Sequence, residues 1–118
     1  MAKINIFRNV KKVERFDAGQ TIFKEGEPGT LMYVVQSGEV DIFVQGMRLE
    51  TVEEGGAIGE MAMIDTTARS ATAVARTDCA LVAIDETKFK TYVHHTPFFA
   101  IQVMKIMADR IRKMNEQL

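Results

Sequence analysis

The segment GEMAMIDTTARSAT, residues 59–72, sets one acid and one base around a short run of small and apolar residues. Gly59 lets the chain turn tightly and approach a ligand closely. The following EMAM can start one or two helical turns. The first amides of a helix lack internal partners and attract anions, phosphate above all. Arg69 stands where the chain re-enters a strand, flanked by small residues. Its guanidinium can form paired hydrogen bonds to two phosphate oxygens. Ser70 and the N–H of Ala71 add donors. Glu60 has the complementary capacity, because a carboxylate accepts hydrogen bonds such as a ribose hydroxyl donates. Spacing alone supports a small-anion site. A phosphate and a sugar hydroxyl held this close together describe a 3′,5′-cyclic nucleotide.

The elements around this segment read as short strands. KVERF (12–16), TIF (21–23), LMYVV (31–35) and VDIFV (40–44) carry β-branched and aromatic residues. DAG, EGEPG and SG punctuate them. LMYVV is nearly continuous, as expected where both faces are covered. MRLETV alternates strictly, and RSATAVA (69–75) and ALVAI (80–84) add two strands. Short strands at such regular spacing predict a mainly β fold, a β-sandwich or a jelly-roll barrel, over about residues 12–84. A short helical segment is expected before it. From residue 85 the period changes to that of a helix. Asp85 is the expected N-cap of ETKFKTYVHH, with Phe89, Tyr92 and Val93 as its apolar stripe. Thr96-Pro97 is the expected start of a last helix, so that helices fill residues 85–118. Ile101, Met104, Ala108, Ile111, Asn115 and Leu118 recur at alternating spacings of three and four, a seam suited to another surface. Val103, Met107 and Met114 widen it. Either this helix packs on its own barrel, or part of its stripe pairs with a second subunit. Residues 1–118 read as a single domain.

Bulk composition excludes several classes. The chain has 118 residues, 47% hydrophobic and 26% charged, with a net charge of −1. Such a balance predicts a folded globule, and it argues against a surface built for the nucleic-acid backbone. No apolar stretch reaches the roughly 18 residues of a membrane span, and the start lacks the features of a secretory signal. With Cys79 as the only cysteine there is no internal disulfide and no Cys-rich metal centre. His94 and His95 are adjacent in a helical region, where neighbours point about 100° apart and share a metal poorly. Neither a metal site nor a nucleophile pattern is expected, and the chain reads as a cytoplasmic non-enzyme.

The residues quoted above resemble those of the cyclic-nucleotide-binding domain, the module of protein-kinase regulatory subunits, nucleotide-gated channels and the bacterial catabolite activator. That family's phosphate-binding cassette runs Gly-Glu-apolar-Ala-apolar, a short gap, then Arg-small-Ala-small. Here it is Gly59-Glu60-Met61-Ala62-Met63, then IDTTA, then Arg69-Ser70-Ala71-Thr72. Upstream, AGQTIFKEGEPGTLMYVVQSGEVDIF resembles the family's glycine-punctuated barrel strands. The resemblance implies that Gly59 and Glu60 meet the ribose 2′-hydroxyl and that Met61 and Ala62 offer amides to the phosphate. It implies likewise that Arg69 clamps the phosphate oxygens, with Ser70 and Ala71 assisting. Ala68 departs from the pattern, since many members place proline there. Ile42, Leu49 and Val52 are candidate contacts for the base, and Arg110 or Arg112 a candidate cap from the last helix. The ligand is cAMP or cGMP, with cAMP favoured; Ser70 is able to reach either phosphate or a guanine amino group.

Two expectations concern charge. With no anion bound, Arg69 should be exposed to solvent or held by a neighbouring acid. Glu60→Gln should weaken ribose-bearing ligands far more than it disturbs folding. Family regulators that bind DNA attach a further domain after the long helix. The residues here end at Leu118, as in an isolated sensor domain or in part of something longer. A competing reading is a nucleotide-independent barrel that serves as a dimerisation or protein-interaction module through the 101–118 seam.

Overall fold

The computed structural model describes residues 3–65 and 68–117. Its strands are β1 (Glu14–Phe16), β2 (Thr21–Phe23), β3 (Met32–Ser37), β4 (Val40–Val44), β5 (Met47–Val52), β6 (Ala57–Ile58), β7 (Thr72–Ala75) and β8 (Cys79–Ile84). A short 3₁₀ helix, Glu60–Met63, interrupts them, and helices α1 (Glu86–His95) and α2 (Phe98–Glu116) follow. Two antiparallel sheets result, ordered β1-β8-β3-β6 and β2-β7-β4-β5, the jelly-roll arrangement that the strand spacing allowed and the family resemblance implies.

The unbroken apolar run in β3 finds its reason here. Tyr33 and Val35 point between the sheets, where they meet Ile42, Ile58, Ala73 and Leu81. Met32 and Val34 point to the other side, where Val82, Ile84, Phe99, Val103 and Ile106 form a second core beneath the helices. A strand covered on both faces has no polar side to alternate. The cores share this sheet, so the helices are anchored to the same strands that frame the cassette.

Three local expectations change. The N-terminal segment makes a turn at residues 6–9 instead of a helix. Ile4 and Phe7 are buried, and Gln36 Nε2 donates to the carbonyls of Phe7 and Val10, groups that a helix would have used itself. Strand β6, two residues after a Gly-Gly pair, was too short to show periodicity. Residues 69–71 precede β7 and belong to a loop.

The helices begin largely as read. The Asp85 carboxylate accepts from the Lys88 N–H at 2.8 Å, an N-cap bond. Phe89, Tyr92 and Val93 pack against the second core. Pro97 occupies the cap position of α2 without a side-chain bond, while Thr96 closes α1. Helix α2 presents two apolar faces at once. Phe99, Val103 and Ile106 are buried on the sheet, whereas Ile101 (41%), Met104 (54%) and Ile111 (57%) are exposed. The two readings of this helix therefore describe different faces, not different lengths; Leu118, the last seam position, lies outside the described residues. His94 and His95 sit exposed at the end of α1, and Cys79 is buried in β8. Among the described residues no helix is long and apolar enough to cross a membrane.

Candidate functional site

The cassette is positioned by β6 on one side and by the 25–29 loop on the other. Gly59 follows β6 with φ 71°, a left-handed conformation that glycine adopts without strain, and it opens the 3₁₀ helix. On the far arm, the Arg69 N–H donates to the Glu27 carbonyl at 2.7 Å, and the Gly26 N–H donates to the Arg69 carbonyl at 2.8 Å. A bridge between Pro28 and Ala68 extends this pairing. Thr66 and Thr67, in the gap between the arms, lie outside the described residues.

Between the arms is a cleft with about 610 Å³ of open space. Its lining includes Gly59, Glu60, Met61 and Ala62 from the first arm, and Arg69, Ser70 and Ala71 from the second. Ile42 contributes apolar wall from β4. Leu49 and Val52 do not line it. Val52 is buried between the sheets and borders a separate cavity under α2, and Leu49 packs on the same core. At Leu49 the strand carries a β-bulge: pairing runs Ile42 to Glu50 but Phe43 to Arg48, which leaves Leu49 as the extra residue, while Val52 pairs in register with the core residue Val40. The Ala62 N–H bonds to the Gly59 carbonyl at 3.1 Å, so it already has a partner inside the turn.

Arg69 is half-buried, and its partners are a carbonyl and a ring where solvent or a neighbouring acid was anticipated. Nη1 donates to the Leu31 carbonyl at 2.8 Å. The guanidinium carbon lies 4.1 Å from the centroid of the Phe23 ring. Nε is buried and has no hydrogen-bond partner among the described residues, an expensive state for a charged donor. Burial pulls the pKa of this guanidinium below its ordinary value, against the pull of Tyr33, Glu27 and Glu60. Two glycines leave space beside it. A Cβ on Gly29 would stand 2.1 Å from Nε, and one on Gly59 would stand 2.7 Å from Nη1.

Glu60 is 4% exposed, and it too has a protein partner. Arg110 of α2 reaches across the cleft and donates Nη1 to Glu60 Oε1. Its Nε bonds Glu50 at 2.5 Å, and Nη2 bonds the Ala57 carbonyl at 2.9 Å. Lys113 adds a contact to Glu50 at 3.3 Å. Burial alone would lower the Arg110 pKa, but the Glu60 and Glu50 carboxylates together hold it above its ordinary value. Of the two cap candidates only Arg110 lines the cleft; Arg112 pairs with Asp109 on an exposed face. The carboxylate expected to serve affinity alone thus also anchors the last helix.

Phe23, Gly29 and the Glu60–Arg110–Glu50 chain are features that local reading missed. The only sequence signal was EGEPG as a turn and TIF as a strand. Neither says which chain segment packs on it.

Comparisons with known proteins agree with this geometry. The family model described as cyclic nucleotide-binding domain matches residues 13–96. A cAMP-dependent protein kinase regulatory subunit of Eremothecium gossypii is 39% identical over 72 residues, which are 61% of this chain and 16% of that protein. The catabolite activator protein of Thermus thermophilus superposes with a TM-score of 0.75 at 29% identity, covering 89% of this chain and 53% of the activator. A protein of a cyclic-GMP-dependent signalling pathway that regulates bacterial phytopathogenesis superposes with a TM-score of 0.71 at 28% identity, covering 85% of this chain and 83% of that one. The chain thus spans about half of the activator and a small part of the kinase subunit.

Proposed function

The chain belongs to the cyclic nucleotide-binding domain family, and from that premise we propose that it binds a cyclic nucleotide in the cleft beside Arg69 as a regulatory module, without catalysis. The observation that carries this reading is the buried Nε of Arg69, without a partner among the described residues and with a glycine beside it in place of a side chain. The Leu31 carbonyl engages Nη1, and the Nε–Nη2 edge is the one that matches two oxygens of a phosphodiester. Ser70 and the amides of Met61 and Ala71 complete the phosphate cradle; the Ala62 amide joins it only by giving up its turn bond. Gly59 and Glu60 receive the ribose, since a carboxylate offers about four acceptor positions and Arg110 uses one oxygen. Ile42 supports the base.

Three or four charge-assisted bonds at roughly 1.5–3 kcal/mol each, plus burial of a purine, must outweigh the costs of association. A net of about −8 kcal/mol corresponds to a micromolar constant. We favour cAMP as the ligand; one relative above is named for cAMP and another for cyclic GMP. Parallel calorimetric titrations with cAMP and cGMP test both points. The tighter isotherm identifies the ligand, and flat heats with both would leave the barrel as an interaction module only.

Output runs through α2. The ribose and Arg110 share Glu60, so a ligand that favours one arrangement of this pair biases the helix in proportion to its differential affinity. The exposed seam at Ile101, Met104 and Ile111 supports a second copy of the chain as the partner. Its solution mass, with and without cAMP, tests that.

Gly29→Ala is a sharp test of the phosphate edge. The new methyl displaces the guanidinium without straining the backbone, since Gly29 does not have a positive φ. Losing one charge-assisted bond should weaken cAMP about tenfold to a hundredfold, with little change in melting temperature. Unchanged affinity in the same calorimeter would show that the Nε edge is not used.

A further inference from the structure

Arg69 carries a long side chain with several rotatable bonds, and a flexible clamp loses freedom when it closes on an anion. What fixes it beforehand is a set of groups far from the cassette in sequence. Phe23, at the end of β2, is 9% exposed and lies under the guanidinium at 4.1 Å. Tyr33 of β3 stacks on the same ring, with centroids 6.4 Å apart and planes 21° apart. Phe16 of β1 in turn meets Tyr33 edge-on at 6.5 Å. The platform thus extends through three rings into the core between the sheets. Gly59 completes the fit, because a Cβ there would stand 2.7 Å from Arg69 Nη1 and 3.4 Å from the Phe23 ring.

We infer that Phe23 is a positioning residue for the phosphate clamp: its ring face holds the Arg69 guanidinium at the wall of the cleft before any anion arrives. This rests on the reading of the cleft as a cyclic-nucleotide site. The ring's attraction for the cation is electrostatic and needs the π face, so a residue of similar bulk without a ring does not replace it. Tyrosine does, because it keeps the same face.

The test is a calorimetric double-mutant cycle with cAMP as the probe. Phe23→Met should bind about threefold to tenfold more weakly than the unaltered chain, and Phe23→Tyr should stay within about twofold. In an Arg69→Ala background, Phe23→Met should change affinity no further, because the group that it positions is gone. A purely structural role for the ring predicts the reverse: equal losses in both backgrounds, following the melting temperature. Equal affinities for the methionine variant and the unaltered chain would likewise overturn the inference. If Phe23→Met lowers the melting temperature steeply, the comparison rests on Phe23→Leu at a temperature well below its transition, with the same two outcomes. Absence of cAMP heat with the unaltered chain would defeat the binding reading itself, a result distinct from either failure of the cycle.

Discussion

Replacing Arg69 by lysine should weaken cAMP binding about tenfold to a hundredfold while leaving the melting temperature nearly unchanged. Lysine keeps the charge but offers a compact ammonium instead of a planar fork, so the paired bonds to two phosphate oxygens reduce to one. Each charge-assisted bond contributes roughly 1.5–3 kcal/mol, which sets the range. Stability changes little because Arg69 makes few bonds of its own: one carbonyl contact from Nη1, one ring contact, and a buried Nε with no partner. A residue that leaves a charged donor unpaired in the fold contributes little to holding that fold together. Titration calorimetry and a thermal melt on the same sample decide it. An affinity within about twofold of the unaltered chain would remove Arg69 from the clamp.

The second large effect runs the other way, toward stability. Arg110→Ala should lower stability by about 3–5 kcal/mol, because it leaves two enclosed carboxylates without their shared cation. Side-chain exposure is 13% for Arg110, 12% for Glu50 and 6% for Glu60, so solvent screens this network poorly. For a domain of this size the loss corresponds to a fall of roughly 10 °C or more in melting temperature. Glu60→Gln should be milder, since Arg110 retains Glu50, yet it should lower both stability and affinity. That outcome differs from the expectation drawn from the cassette alone, in which Glu60 served the ribose only. A melt of Arg110→Ala within about 2 °C of the unaltered chain would mean that the network is a surface arrangement of small consequence.

The cassette was legible because its parts are contiguous. Gly59 through Ala62 and Arg69 through Ala71 all line the cleft, and Ile42 joins them from a strand whose parity could be counted. The long apolar run in β3 was read correctly as a strand covered on both faces. What escaped has a common cause. Phe23 and Gly29 lie some forty residues before Arg69, and the pairing of β2 with β7 and of the 25–29 loop with residues 68 and 69 brings them to it. Leu49 and Val52 were named by their position along β5. The bulge makes Leu49 the extra residue of its strand, Glu50 is engaged by Arg110, and Val52 lies in the core opposite Val40. A bulge is a property of two paired strands, and one strand's pattern does not announce it. The N-terminal turn is similar, since its carbonyls are claimed by Gln36 of a distant strand.

Arg110 joins the parts into one device. Its side chain touches the carboxylate proposed for the sugar, a carbonyl of β6 and a carboxylate of β5, while its backbone belongs to the helix with the exposed apolar seam. In the function proposed above, sugar capture and helix position would be linked through one guanidinium, and phosphate capture would depend on another. Linkage of this kind would suit a sensor, with the ligand's grip on the cassette felt on the outer face of α2.

The central claim is that the Nε edge of Arg69 grips the cyclic phosphate. The most direct measurement is the arginine Nε–H resonance in a ¹⁵N-edited NMR spectrum, assigned by its loss in Arg69→Lys and followed through a titration with cAMP. This signal should shift downfield and exchange more slowly with water as the cleft fills. A signal that stays in place while cassette amides report saturation would contradict it.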